Sequence, residues 1–198
     1  MMSQPTFDKL KIYIHVAKMN TWEALLSEIL EDIRFNNLSI KAEITAVSVG
    51  GRIPNIDNVR TVDSELPLTA YEFPTLDLLY KEVEANTAIC YCHLKGVSQP
   101  NSWEHRTWRR DISHFTLLDW VNRVSHLYYR WTSGPRITSG GAGWQSDYIH
   151  AYKHYSGNFW WARSDYITKL PKPSNLNKNR YGAEAWLGQS TLINEPIL

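Results

Sequence analysis

Three short segments carry the residue types that could do chemistry. The first is His93-Leu94-Lys95-Gly96, followed closely by Arg106, Arg109 and Arg110. His93 and Lys95 are two apart, so on a strand they share a face, and Gly96 lets the chain turn tightly behind them. Fixed cations at such a place can stabilise a departing diphosphate. Otherwise Lys95 is a solvated strand end and the arginines are the wet face of a helix. The second segment runs from Trp144 to Arg163. Its centre, His154-Tyr155-Ser156-Gly157-Asn158-Phe159-Trp160-Trp161, is too polar and too aromatic for an ordinary strand. Gly157 permits close approach of a ligand, Asn158 can read hydroxyls, and a Trp offers a flat apolar face. Trp160 and Trp161 are adjacent, so on a strand they point to opposite sides and at most one faces a pocket. The third segment is Arg180 to Gly188. Glu184 at a helix start is ordinarily a favourable partner for the helix dipole. In a cleft it is a candidate general base toward an acceptor hydroxyl.

The elements that must position these residues read as alternating strands and helices. Lys11–Ala17 is a β-branched and aromatic run, hence a strand. Trp22, Leu25, Leu26, Ile29, Leu30 and Ile33 then recur at helical spacing, with Asn20 as N-cap and Glu23 completing a capping-box pattern. Glu43–Val49 is a second strand and Val59–Val62 a short third. Pro74 opens a helix carrying Leu76, Leu79, Tyr80 and Val83, ended by Asn86, and Ala88–Leu94 is an apolar run suited to a buried parallel strand. Trp103–Leu127 reads as a long helix and Thr132–Gly143 as a flexible loop. Tyr155–Ala162 reads as a strand, Asp165–Leu170 as a short helix, and Ala183–Leu187 as the start of a last one. This order predicts a three-layer α/β domain with a mostly parallel sheet, Lys11–Ala17 and Ala88–Leu94 being adjacent central strands. Ligands of such sheets bind beyond the carboxyl ends of the strands. The loops after Ala17 and Leu94 therefore draw interest, and His15 to Ala17 are expected near a nucleotide base.

Composition narrows the function classes. The chain has 198 residues, enough for one domain with a core over 11–188 and a tail at 189–198. A net charge of +1 and a sequence pI of 7.8 supply no basic stripe for nucleic acid. Nine Trp and eleven Tyr fill cores or line sugar and base pockets. Cys90 and Cys92 are the only cysteines, too close along a strand for a disulfide and without metal-ligand spacing. They read as buried small hydrophobes in a reducing compartment. The start of the chain shows no signal-peptide core and no apolar run approaches the about 18 residues of a membrane span. A cytoplasmic location is expected.

Together the three segments resemble a family of small bacterial and viral glycosyltransferases. His93-Leu94-Lys95-Gly96 is similar to that family's HTKG strand end, and Trp108-Arg109-Arg110 to the start of the helix that follows it. His154–Ala162 resembles its HxSGNFWWA motif, and Arg180–Leu187 its RYxAExWL motif. The similarity spans Lys11 to Gly188 in order; over the first strand and helix it is one of pattern only. The resemblance implies a GT-A-like fold, a nucleotide-diphosphate sugar donor, a saccharide acceptor and a role in polysaccharide or glycan assembly. It places His93 and Lys95 at the donor site, where the strand ends and clustered cations also lead us to expect His15, Ala17, Gly96 and Arg109. It places His154, Ser156, Gly157 and Asn158 on the acceptor side and Glu184 in the position of a candidate base; the apolar faces of Trp160 and Trp186 are expected on the same acceptor wall. Many GT-A enzymes hold Mn²⁺ or Mg²⁺ with Asp-x-Asp after this strand; here the position reads His93-Leu94-Lys95. Metal use is thus an open question: either cations from Lys95 and Arg109 replace the metal, or a histidine and a distant carboxylate such as Asp63 bind it. The competing classes are a carbohydrate-binding module, whose usual all-β frame conflicts with these helices, and a glycoside hydrolase, for which no carboxylate pair is evident.

Overall fold

The structure, a computed structural model, describes residues 7–99, 102–128, 137–145 and 153–189. The tail beyond 189 and much of the expected loop at 132–143 lie outside the described residues. The chain begins β1 (Lys9–Ala17), α1 (Trp22–Phe35), α2 (Leu38–Lys41), β2 (Ala42–Val49) and β3 (Val59–Asp63). Then come α3 (Phe73–Lys81), β4 (Thr87–His93), α4 (Trp103–Ser113), a π-helical turn (His114–Leu118) and α5 (Trp120–Tyr128). Four short strands follow: β5 (Ser139–Gly141), β6 (Trp144–Gln145), β7 (His154–Tyr155) and β8 (Trp160–Arg163). The short helices α6 (Ser164–Ile167) and α7 (Arg180–Ala185) complete the fold.

One six-stranded sheet, ordered β3-β2-β1-β4-β8-β5, forms the middle layer, and β6 pairs with β7 apart from it. β3, β2, β1 and β4 are mutually parallel; Ile12 stands opposite Cys90 and His15 opposite His93. The two strands expected at the centre are therefore neighbours. The sheet is mixed rather than purely parallel, because β8 runs antiparallel to both β4 and β5. The fold is α/β.

The period of two along β1 divides the core. Ile12, Ile14 and Val16 face α1 and the α4–α5 region, together with Cys90 and Cys92 of β4. Tyr13 faces α3, α6 and α7 together with Ile89 and Tyr91. With both faces covered, β1 and β4 can be apolar almost throughout. α1 buries Trp22, Leu25, Leu26, Ile29, Leu30 and Ile33, the stripe its spacing predicts. Each such side chain contributes roughly 1.5–3 kcal/mol. Both cysteines are free and fully buried, and burial raises both thiol pKa values.

Four local expectations need correction. Asn20 does not cap α1: Thr21 holds the N-cap position without a side-chain bond. Asn20 instead adopts a left-handed φ of 48° and donates from Nδ2 to the Val97 carbonyl at 2.8 Å. The helical region expected at 103–127 is present, though as α4 and α5 joined by a π-helical turn at His114–Leu118 rather than one regular α-helix. The strand at 155–162 is broken into β7 and β8, because Gly157 (φ 80°) and Asn158 (φ 53°) both take left-handed backbone between them. Finally, part of the expected loop at 132–143 is ordered as the edge strand β5.

Candidate functional site

The strand order turns back at β1: β2 and β3 lie on one side of it and β4 on the other. A crevice at such a switch point, outside the carboxyl ends of the strands, is the standard ligand position of open α/β sheets. A cavity of about 310 Å³ lies there, at the low end of the range of small-molecule sites. His15 and Ala17 reach it from the end of β1, and His93, Lys95 and Gly96 from the end of β4. Glu72, just before α3, and Arg180, at the start of α7, complete its charged lining.

Each of these side chains is held from behind. The Glu72 Oε2 accepts from the Tyr91 hydroxyl and from Asn158 Nδ2, both at 2.5 Å, and Asn158 Oδ1 accepts from Trp160 Nε1 at 2.9 Å. The Glu72 Oε1 lies 3.7 Å from His93 Nδ1, while His93 Nε2 donates to the Gly157 carbonyl at 2.8 Å. His15 Nδ1 lies 2.9 Å from Thr75 Oγ1 of α3. Lys95 Nζ sits 4.1 Å from the centroid of the Trp108 ring, a cation–π contact. Arg180 Nε donates to Glu184 Oε1 at 3.0 Å across one turn of α7.

Burial dominates the electrostatics. It pushes the His15 and His93 pKa values down to about 4 and raises that of Glu72. It also lowers that of Lys95, against the opposing attraction of Glu184. Buried groups resist whichever form is charged. Glu184 also acts through space on His93 and Glu72, so its carboxylate shares the field of the cavity.

The donor-side expectations for His15, Ala17, His93, Lys95 and Gly96 converge on this one cavity, and Glu184 stands beside it. Arg109 does not. It is 7% exposed, its Nε and Nη2 bond Glu28 of α1 at 3.2 and 2.9 Å, and its Nη1 donates to the Lys95 carbonyl at 3.1 Å. It braces the loop that carries Lys95 and lines a separate groove between α1 and α4.

The acceptor-side expectations also change. Trp160 and Trp186 are 1% and 0% exposed, and Trp186 Nε1 donates to the Pro171 carbonyl at 2.8 Å. Trp161 packs on the opposite face of the sheet. Both tryptophans of the 160–161 pair are buried in the core, on opposite faces of the sheet. His154 is buried, Ser156 donates its backbone N–H to the Gly143 carbonyl at 2.9 Å, and Asn158 turns inward to Glu72. The motif is a strut beneath the cavity.

Glu72 is the site residue that sequence reading missed. Its segment, Tyr71-Glu72-Phe73-Pro74, looks like an exposed acidic helix start. The left-handed φ of 51° at Tyr71 and the partner Tyr91 turn the carboxyl inward. Glu72, Asn158 and Tyr91 carry no local signal of their meeting.

Among the described residues no group of three or more His, Cys, Asp or Glu side chains is placed to hold a metal ion. Asp63 ends the edge strand β3, two strands from β1, and its Oδ1 accepts the Glu65 N–H at 2.9 Å. The donor set among the described residues does not fit a divalent metal. A wider groove of about 670 Å³ lies at the amino ends of the strands. Four of its charges are paired with one another, Lys11 with Glu84 and Arg60 with Glu82, which argues for an ion-pair network. No helix among the described residues is long and apolar enough to cross a membrane.

The fold and the crevice define an α/β protein with a charged pocket at its topological switch point. No family model, curated protein or solved structure matches the chain.

Proposed function

We propose that this chain is a GT-A-like glycosyltransferase that moves a sugar from a nucleotide-diphosphate donor to a saccharide acceptor. The observation that carries the reading is the convergence of three distant segments. His93 and Lys95, Arg180 with Glu184, and the β1 end at His15 and Ala17 meet at one small cavity at the switch point. The resemblance of the His93–Gly96 and Arg180–Leu187 segments to small glycosyltransferases supports it.

In this mechanism the bond between the anomeric carbon and the diphosphate oxygen breaks, its electron pair leaving with the diphosphate. Lys95 and Arg180 face the negative charge that develops, and preorganised cations in a partly dry site are effective there. The acceptor oxygen forms the new bond to the anomeric carbon and loses its proton to Glu184, for an inverting outcome. The Arg180 partner holds the Glu184 carboxylate in place.

A glycoside hydrolase is the second reading, favoured by one observation: Glu72 adds a second carboxyl to the same cavity. Two carboxyls flanking a glycosidic bond are what hydrolysis uses. The cations lining the cavity favour the transferase.

A thermal-shift panel of nucleotide sugars, with and without Mn²⁺, tests the proposal. A specific donor at 100 times its Kd should add about 2.7 kcal/mol of apparent stability. No shift with any nucleotide sugar, together with release of nitrophenol from aryl glycosides, would replace the transferase by the hydrolase.

A further inference from the structure

Glu72 and His93 face each other with an unresolved proton. Both oxygens of Glu72 have assigned surroundings: Oε2 takes two donors, from Tyr91 and Asn158, and Oε1 is turned toward His93 Nδ1 at 3.7 Å. The other ring nitrogen of His93 meets the Gly157 carbonyl at 2.8 Å. A carbonyl only accepts, so Nε2 carries a hydrogen. In a neutral ring Nδ1 is then a lone pair pointing at a carboxylate oxygen. At 3.7 Å, just beyond hydrogen-bond reach, and with side chains only 15% and 10% exposed, two opposed acceptors repel unless one of them carries a proton.

We propose that Glu72 and His93 form one proton-sharing pair, and that this pair is the acid of the cavity toward a phosphate oxygen bound beside Lys95. The proton rests on Glu72 Oε1 beside a neutral ring, or on Nδ1 beside a carboxylate; the pair is neutral overall in both forms. Such a pair titrates as a unit. His15 from β1, Tyr91 from β4, Lys95 beyond β4, and Arg180 and Glu184 from α7 surround it. Lys95 and Arg180 oppose a second proton, Glu184 favours one, and burial penalises separated charge. On donation the proton leaves the pair and bonds to a lone pair of the phosphate oxygen. Glu72 carboxylate and neutral His93 remain, to be reprotonated from water. The phosphate role rests on the transferase reading of this cavity; the shared proton does not.

The test uses the full chain with labelled Glu carboxyl carbons and His ring nitrogens. The Glu72 carbon and the His93 nitrogens should move together, with one midpoint above the ordinary carboxylate range. Glu72→Gln should abolish that step. Should Glu72→Gln fail to fold, Tyr91→Phe removes one donor from Oε2 and should raise the common midpoint. Glu72 titrating alone in the ordinary range, with His93 unmoved, overturns the pair. Phosphorus NMR of bound pyrophosphate then tests the acid role: its protonation midpoint should be higher with the native chain than with Glu72→Gln. Equal midpoints, or no pyrophosphate binding, overturn that role while the common titration stands. Loss of sugar transfer in an assay, with both NMR results intact, would count against the transferase reading alone.

Discussion

Lys95 combines two demands that are usually kept apart. Its ammonium lies over Trp108, and the residue is 6% exposed, yet it lines the cavity. Burial lowers its pKa, so keeping the charge costs stability that only a nearby anion recovers. Lys95→Met keeps the stem and removes the charge. Its stability should change by less than about 1 kcal/mol, since lost cation–π attraction offsets relieved desolvation. Uridine diphosphate, measured by titration calorimetry, should bind at least about tenfold more weakly, a loss of about 1.4 kcal/mol. Unchanged affinity would make Lys95 a structural cation on an indole. At this scale the sequence discloses residues at strand ends and little else. His93 and Lys95 are legible because a buried strand must end in a loop and polar residues at that end are conspicuous. Glu72 is not, because its inward turn depends on Tyr91 and Asn158, 19 and 86 residues away.

Among the elements, the turn between β7 and β8 does most to shape the site. Gly157 and Asn158 take left-handed backbone, which presents the Gly157 carbonyl to His93 and the Asn158 amide to Glu72. Polar and aromatic residues there read as ligand contacts from sequence, since nothing local distinguishes a wall from a strut. The distinction is made by the register of β8 against β4, which sets Trp160 opposite Tyr91 and stacks their rings at 5.2 Å. A Cβ on Gly157 would meet Ile112 Cδ1 at 2.8 Å, and its φ of 80° is unfavourable for any L side chain. Ile112 can shift, so the cost is mostly backbone strain, about 1–2 kcal/mol. Gly157→Ala should lower the urea midpoint accordingly and perturb the His93 ring resonances. Ser156→Ala, one residue away, should stay within about 0.5 kcal/mol of the native chain. Equal stability of the two variants would mean that the turn is not fixed by Gly157.

For the molecule as a whole, the alternation of elements was enough to put β1 beside β4 and hence to locate the crevice. It could not reveal the antiparallel β8, because a four-residue strand reached after a long excursion has no direction in its own sequence. The same burial that makes β1 legible leaves a histidine inside the fold, and that has a consequence for acid stability. His15 is 3% exposed, its Nδ1 lies against Thr75 Oγ1, and burial pushes its pKa down to about 4. An unfolded chain gives it a value near 6.5. Between those two values the unfolded state takes up a proton that the native state refuses. The stability is therefore complete above about pH 6.5 and is lost as the pH falls toward 4, by on the order of 3 kcal/mol over the full window. Glu72 faces His15 and moderates the loss, since its attraction favours the charged ring. His15→Gln keeps a polar partner for Thr75 and cannot titrate. Urea unfolding at pH 7 and pH 4.5 should show the native chain losing about 2 kcal/mol more than this variant on acidification. Equal losses would place the acid sensitivity elsewhere and mean that the His15 ring takes up its proton in the folded state as readily as in the unfolded one.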